Sequence, residues 1–406
     1  MKILEINKFY YRRGGADHHF LDLCDILRTK GDSVSVFSMK DKRNEPTPYS
    51  KYFVSNIEFG SFNFRSLLQP LRVIYSCEAA RKLKRLIKDE RPDVAHLHLI
   101  YHHLSPSVLS VLKKEKIPVI MTIHDWKPLC PNYLMFTEGA VCERCHGGHY
   151  HQCARHLCIH RSPMQSALAS MEAYIHHAKK YYEEYVDSYI APSEFVKQMF
   201  IKWGFPAGKI AVIPHFLPSS IKRVEAAVSA PKDPAFAYIG RLNEEKGIVI
   251  LVEKWVSEKF PYSLHVFGDG PLLARLNNII NSANAKNIFL HGAMKREDIS
   301  KYLRQMTALI IPSQWHEIFG LVAIEAWSQS VPIITSKFGA LPELIKNSGA
   351  GLSVDINNGE FTDALKKITD ISYRQNAVEY MSGHHLPELY YPDLINVFRK
   401  AQASVK

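Results

Sequence analysis

Two acids in one short stretch carry the first chemical hint. In SQWHEIFGLVAIEAW, residues 313–327, Glu317 and Glu325 stand eight positions apart with a Phe319-Gly320 step and an apolar run between them. Eight positions along a helix return to roughly the same face. A glycine at a helix start lets backbone approach a ligand closely. The helix N-terminus itself offers unmet amides and the positive end of a dipole, which suits phosphate. Gly14 and Gly15 precede another helix-like run and offer the same. Arg241 and Lys246, in GRLNEEKG, add two cations, so a diphosphate fits the set. A buried acid would repel phosphate, so Glu317 is expected to face hydroxyl donors, as on a sugar. Glu325 lies in the apolar run LVAIEAW, where an unpaired acid costs several kcal/mol. It is expected to meet a second pair of hydroxyls, as on a ribose. Sugar, diphosphate and ribose together describe a nucleotide-activated sugar.

The elements that must position these residues are legible as an alternation. KILEIN, SVSVFSM, DVAHLHL, IPVIMTI, SYIAPS and KIAVIP are strand-like, and amphipathic helical stretches run between most of them. After residues 215–234, Pro- and Ser-rich and without a strand run, the alternation resumes with AFAYIG, SLHVFGDG, NIFLHG, TALIIPS and VPIITS. Such a pattern predicts parallel sheets covered on both faces. We therefore expect two doubly wound α/β domains, 1–216 and 217–385, facing a central cleft. A cysteine-rich insert is expected over 126–161, and a C-terminal helix over 386–406 that packs back on the first domain. In such folds ligands bind outside the carboxyl ends of the strands. The glycines, Arg241, Lys246, Glu317 and the His124-Asp125 pair all follow strand ends.

Composition narrows the class. The chain has 406 residues, ordinary apolar content and a formal net charge of +11, more of it in the first half. That charge favours anionic partners. No apolar run reaches the length of a membrane span, and the N-terminus lacks the apolar core of a secretion signal, so a cytoplasmic protein is expected. No G-x-x-x-x-G-K-[ST] occurs, which excludes a P-loop NTPase. The first strand is not followed by G-x-G-x-x-G, which weakens a dinucleotide reading. No Asp-x-Asp is present to hold a metal-bridged diphosphate, so no catalytic metal is expected.

On these motifs the chain resembles the family 4 retaining glycosyltransferases (group 1) with the two-Rossmann-domain, type B fold. GRLNEEKG, FGDGPL, HEIFGLVAIEA and FGALPELI carry the resemblance in the second half. RRGGADHHFLDLCDILRTKGDSVSV, PDVAHLH, TIHDWKPLCPNY and YIAPSEFVKQMF carry it in the first. It covers nearly the whole chain and is strongest from 235 to 345. The resemblance implies that Gly240, Arg241 and Lys246 meet the donor diphosphate, Glu317 the transferred sugar and Glu325 the ribose. It places the amides of Phe319, Gly320 and Leu321 on sugar and phosphate, and Met294 beside the base. His124 would lie near the sugar, and Gly14 and Gly15 would let a loop close over the phosphates. The catalytic set is thus Glu317, His124, Arg241 and Lys246. Asp125 reads better as an acid that orients its own turn. Two departures stand out: Gly339-Ala340 where the family often has paired glycines, and WSQSVP where it has a small-residue Cys-Gly run.

The implied reaction moves a hexose-type sugar, with retention, from a UDP or GDP sugar to a glycan or lipid-linked acceptor in polysaccharide or lipopolysaccharide assembly. A sugar-nucleotide epimerase or a phosphorylase on the same fold is one alternative. A basic, zinc-containing nucleic-acid-binding protein is another, which the absence of a recognised reading motif disfavours, so no nucleic-acid partner is expected. The basic stretch RSLLQPLRVIYSCEAARKLKRLIKDERPD suggests peripheral contact with an anionic inner membrane face, or else a solvated helix. Cys130, Cys142, Cys145, Cys153 and Cys158 crowd one loop. Cys142-x-x-Cys145 is a metal-knuckle spacing, so a structural Zn²⁺ on Cys142, Cys145, Cys153 and Cys158 is expected, with Cys130 as substitute. Reduced thiols without metal, or disulfides, are the other readings.

Overall fold

The structure is a computed structural model that describes residues 1–56 and 69–405. The chain divides into two compact units. The first comprises Met1–Met135, Cys142–Ile213 and Tyr390–Lys406, and the second Phe136–Val141 and Pro214–Leu389.

In the first unit, β1 (Lys2–Ile6), β2 (Ser33–Phe37), β3 (Val94–Leu97), β4 (Val119–Thr122), β7 (Ser188–Ala191) and β8 (Ile210–Val212) form one sheet in the order β2-β1-β3-β4-β7-β8. Every pair in it is parallel. Two-residue strands β5 (Phe136–Thr137) and β6 (Ala140–Val141), which belong to the second unit, form a separate hairpin. In the second unit, β9 (Ala235–Ile239), β10 (Ser263–Phe267), β11 (Ile288–Gly292), β12 (Ala308–Ile311), β13 (Ile333–Thr335) and β14 (Gly351–Ser353) run in the order β11-β10-β9-β12-β13-β14, also all parallel. The strand order reverses between β1 and β3 in one sheet and between β9 and β12 in the other. Strands diverge to opposite sides at such points and leave a crevice at their carboxyl ends.

The strands are buried on both faces, as their near-continuous apolar runs require: Ile3, Leu4 and Ile6 in β1, and Leu309, Ile310 and Ile311 in β12. Residues 215–234 contain no strand and lie along the second unit. There Val224 N–H donates to the Ser328 carbonyl at 2.8 Å and Val228 N–H to Ser330 Oγ at 3.1 Å. The closing helix is Pro387–Val405. From Tyr390 onward it belongs to the first unit, where Tyr391 donates to Asp32 at 2.9 Å and Phe398 meets the His96 ring. Among the described residues no helix is long and apolar enough to cross a membrane.

The basic stretch noted above lies in part outside the described residues. The rest includes the helix Cys77–Glu90, which buries Ala79, Leu83, Leu86 and Ile87 and exposes Arg81, Lys84, Arg85 and Lys88. Its apolar face is already used by the fold, so only its charged face is open to a partner.

The WSQSVP departure has a packing explanation. Where small residues were expected, Ser328, Gln329 and Ser330 are buried and bonded. Gln329 accepts from Arg304 Nε at 2.7 Å and donates to the Lys222 carbonyl at 2.9 Å. Beneath them Arg374, 1% exposed, donates to the carbonyls of Ser330 at 3.0 Å, Thr307 at 3.3 Å and Met306. Burial lowers its pKa to about 10. Arg374→Met would leave those carbonyls without their donor, so it should reduce unfolding free energy by about 2–4 kcal/mol. Denaturant-unfolding midpoints measure this, and an unchanged midpoint contradicts it.

Candidate active site

The carboxyl ends of β9 and β12 bring Lys246 and Glu317 together. Lys246 Nζ lies 2.6 Å from Glu317 Oε1 and 4.9 Å from the Trp315 ring centroid. Ser313 Oγ donates to the same carboxylate oxygen at 2.6 Å. Glu317 is buried, which alone would raise its pKa, but Lys246 and these donors outweigh burial and hold it below the usual carboxylate range. The group is therefore ionised at neutral pH. The sequence argument had assigned Lys246 and Glu317 to different parts of a ligand, whereas the structure pairs them directly. Arg241 is largely exposed, and its Nη2 lies 3.4 Å from Glu245 Oε1.

Backbone packing fixes the position of Glu317. At Gly339, φ is +71°, and a Cβ there would stand 2.2 Å from the Glu317 nitrogen and 2.4 Å from its oxygen. Ala340 N–H donates to the Glu317 carbonyl at 2.9 Å. Only the first of the two expected glycines is thus in steric demand: Gly339 presses against the acid's peptide, while Ala340 is buried just before the helix Leu341–Ser348. Gly247 (φ +70°) is similarly constrained, since its Cβ would meet the Pro312 carbonyl oxygen at 1.9 Å. That contact locks the Lys246 loop onto the end of β12.

Phe319 is buried, its ring edge-on to His215 at 5.2 Å and to His385 at 5.4 Å. Gly320, at φ +100°, precedes the helix Leu321–Ser328, which starts where the sequence predicted. Glu325 lies just over one turn along that helix and is buried, with Arg296 Nη2 2.6 Å from its Oε1; Glu317 precedes the helix, so the two acids do not share a helical face as their spacing suggested. Sequence reasoning missed Arg296, the first residue of a separate helix (Arg296–Leu303). Met294 sits half-buried just before it, against the core behind β12. Gly240 follows β9, its N–H bonded to the Phe267 carbonyl at 3.0 Å.

In the first unit, Gly14 caps the helix Gly15–Thr29 without a side-chain bond of its own. Buried Asp17, in the first turn, accepts from the Gly14 amide and from Asn7 Nδ2 at 2.9 Å. An acid reaching back from the third helical position is half of a capping box. This helix start already carries a carboxylate where a phosphate was expected.

His124 is the end of a buried chain that sequence reasoning did not assemble. Glu5 on β1 meets His96 Nδ1 at 3.0 Å and His98 Nε2 at 2.9 Å. His96 Nε2 lies 2.7 Å from Thr122 Oγ1, and His98 Nδ1 lies 2.8 Å from His124 Nε2. Among the described residues Glu5, His96 and His98 form a trio whose ligand-type atoms all lie within 4.8 Å of one another, and those atoms are spent on each other. Burial would raise the Glu5 pKa, but the two histidines overcome it and bring it to about 2. An ionised carboxylate can only accept, so His98 Nε2 carries a proton. Burial lowers the His98 pKa to about 4, so the ring is neutral and its Nδ1 accepts. His124 Nε2 must then donate. The signal was present in the H-x-H of PDVAHLH, whose period of two puts both rings on one face of β3. Asp125 accepts from the Lys127 backbone N–H at 3.0 Å and so orients its own turn.

Comparison with known proteins places this geometry. The Glycosyltransferase Family 4 description matches residues 13–219, just over half of the chain, and the Glycosyl transferases group 1 description matches residues 221–382. The chain belongs to the group 1 glycosyltransferases of the two-Rossmann type. An uncharacterized 42.6 kDa protein in the cps region of Klebsiella pneumoniae is 24% identical over 85% of this chain and 87% of its own length. The sulfoquinovosyl transferase of Arabidopsis thaliana is 22% identical over 90% of this chain and 65% of its own. Among solved structures, an Anabaena protein in complex with UDP and glucose superposes with a TM-score of 0.67 at 16% identity, covering 98% of this chain and all of that one. The lipopolysaccharide outer core galactosyltransferase in its apo form gives 0.65 at 16% identity, covering 98% and 99%. These structures share the type B fold.

The glycosyltransferase's buried chain has a pH consequence. Both folded pKa values are depressed, Glu5 to about 2 from 4.5 and His98 to about 4 from 6.5. The stability each contributes is complete above its ordinary value and is lost on acidification. The melting temperature should therefore fall as pH drops from 6.5 through 4, and further below 4.5 as Glu5 takes up its proton. Thermal melts across this range test it, and a flat profile from pH 7 to pH 4 contradicts it.

Proposed function

We propose that this glycosyltransferase moves a hexose-type sugar, with retention, from a UDP or GDP sugar to an acceptor hydroxyl during assembly of a surface polysaccharide or lipopolysaccharide. The observation that carries this reading is the part-buried Lys246–Glu317 pair at the β9/β12 strand ends. It sets a cation suited to a departing diphosphate beside a carboxylate suited to sugar hydroxyls. Arg241, exposed on the same loop, supplies a second cation. The Phe319–Leu321 backbone amides open the helix that bears Glu325, with Gly240 and Met294 on the neighbouring strand ends and the ribose assigned to Glu325. The Klebsiella relative from a cps region and the lipopolysaccharide transferase of the same fold support the polysaccharide setting.

In the reaction, the bond between the sugar's anomeric carbon and the diphosphate oxygen breaks, and a bond to the acceptor oxygen forms on the same face. The acceptor's proton passes to the leaving phosphate oxygen. Lys246 and Arg241 stabilise the charge that builds there, so no catalytic metal is required. We place the enzyme on the cytoplasmic face of the membrane, held by charge through the exposed face of the helix Cys77–Glu90 toward a lipid-linked acceptor.

A panel of UDP and GDP hexoses with an extract of lipid-linked acceptors, read by mass spectrometry, identifies the donor. The anomeric configuration of the product reports retention, and added Mg²⁺ or Mn²⁺ should leave the rate unchanged. Glu317→Gln should lower turnover on the order of a hundredfold while nucleotide affinity stays within a few-fold. Wild-type turnover in a correctly folded Glu317→Gln variant contradicts the assignment.

A further inference from the structure

The cysteines of the insert converge on one place. A small pocket is lined by Cys130, Cys142, Cys145, Cys153 and Cys158 with Arg144. Its free volume, about 10 Å³, is that of a single water-sized body. All of these residues belong to the first unit. The surrounding segment has little else to hold it. Its apolar cluster consists of Cys145, Tyr150, Cys153, Ala169 and Ala173, with Cys158, Ile159 and Trp203 at the edge. Its backbone is also costly, with Tyr133, Met135, Leu157, His160 and Arg161 all at positive φ. Each such residue costs of order 1 kcal/mol and persists only where something else imposes it.

We propose that this pocket binds one structural Zn²⁺ through Cys142, Cys145, Cys153 and Cys158, the set that the sequence spacing favours. All four line the pocket, and Cys145 and Cys153 pack together with Cys158 at their edge. Cys130 lines it as well, from a tight turn whose Cys130 N–H donates to the Trp126 carbonyl at 2.7 Å, but its Sγ donates to Asn132 Oδ1 at 2.9 Å and so already has a partner.

On binding, four S–H groups release their protons to water and four Zn–S bonds form. The net charge of the centre is then −2, which Arg144 on the pocket wall partly offsets. A tetrahedron with Zn–S bonds of about 2.3 Å needs sulfurs roughly 3.8 Å apart. The thiols are more widely spread than the tight Glu5–His96–His98 trio, so the ion draws the loop inward. Folding of the insert is thereby coupled to metal.

The test uses the full chain purified without a metal-affinity tag, in reducing buffer, and reconstituted with Zn²⁺. Elemental analysis should give about one zinc per chain, and Co²⁺ substitution should give the visible absorption of a tetrathiolate centre. Cys145→Ser and Cys153→Ser should each lose the metal, while Cys130→Ser keeps it. Where a variant does not fold, titration of zinc release from the wild-type chain by a thiol reagent gives the ligand count, four thiolates per zinc. Less than a tenth of a zinc per reconstituted chain, with all five insert thiols alkylated at equal rates, overturns the proposal. Loss of zinc in Cys130→Ser with retention in Cys153→Ser overturns the ligand set.

Discussion

The second unit is organised around the need to keep one buried carboxylate ionised. Glu317 sits where strand gives way to helix, and a lone charge there would cost several kcal/mol. Lys246 at 2.6 Å and the Ser313 hydroxyl at 2.6 Å meet that cost. They come from the ends of β9 and β12, while the Ala340 amide after β13 holds the Glu317 backbone carbonyl, so the site reports the correct register of all three strands. The close backbone contacts at Gly247 and Gly339 are the steric counterpart of this electrostatic requirement. On the proposed function, a diphosphate would compete with Glu317 for Lys246 and sugar hydroxyls would replace the lost interaction, so that charge is exchanged without exposing a bare ion.

The first unit solves a related problem differently. Glu5 is also a buried acid beside a strand-order reversal, yet its partners are neutral-capable rings rather than a lysine. The result is a carboxylate that sets ring tautomers instead of a cation. This sets His124 Nε2 as a donor. The two units thus answer one physical constraint, the intolerance of the protein interior for an unpaired charge, in two different ways.

Most of the sheet architecture was legible in the chain because short β-branched runs alternate with amphipathic helices. Of the two parallel sheets, the strand that escaped, β14 (Gly351–Ser353), has three residues, begins with glycine and lacks such a run; the two-residue strands β5 and β6 were too short to read. At the site, strand-end position and residue type located Glu317, Lys246 and Gly320. Partners joined across elements were not legible: spacing within one helix says nothing of Arg296, which reaches Glu325 from another. The separation of Lys246 from Glu317 in the sequence argument failed for a related reason. It placed each charge against an imagined ligand, while the folded chain places them against each other. Residues 215–234 lacked a strand, as read, but the buried side chains of Phe216, Leu217 and Ile221 bind the segment to the second unit.

The central claim is that Lys246 recognises the diphosphate of a nucleotide sugar. Calorimetric titration of the wild-type chain and of Lys246→Met with UDP, GDP and the corresponding nucleosides tests it most directly. The account predicts that diphosphate affinity falls by roughly 1.5–3 kcal/mol in the variant while nucleoside affinity is unchanged. Equal diphosphate affinity in a folded Lys246→Met protein, or no preference of the wild type for diphosphate over nucleoside, would contradict it.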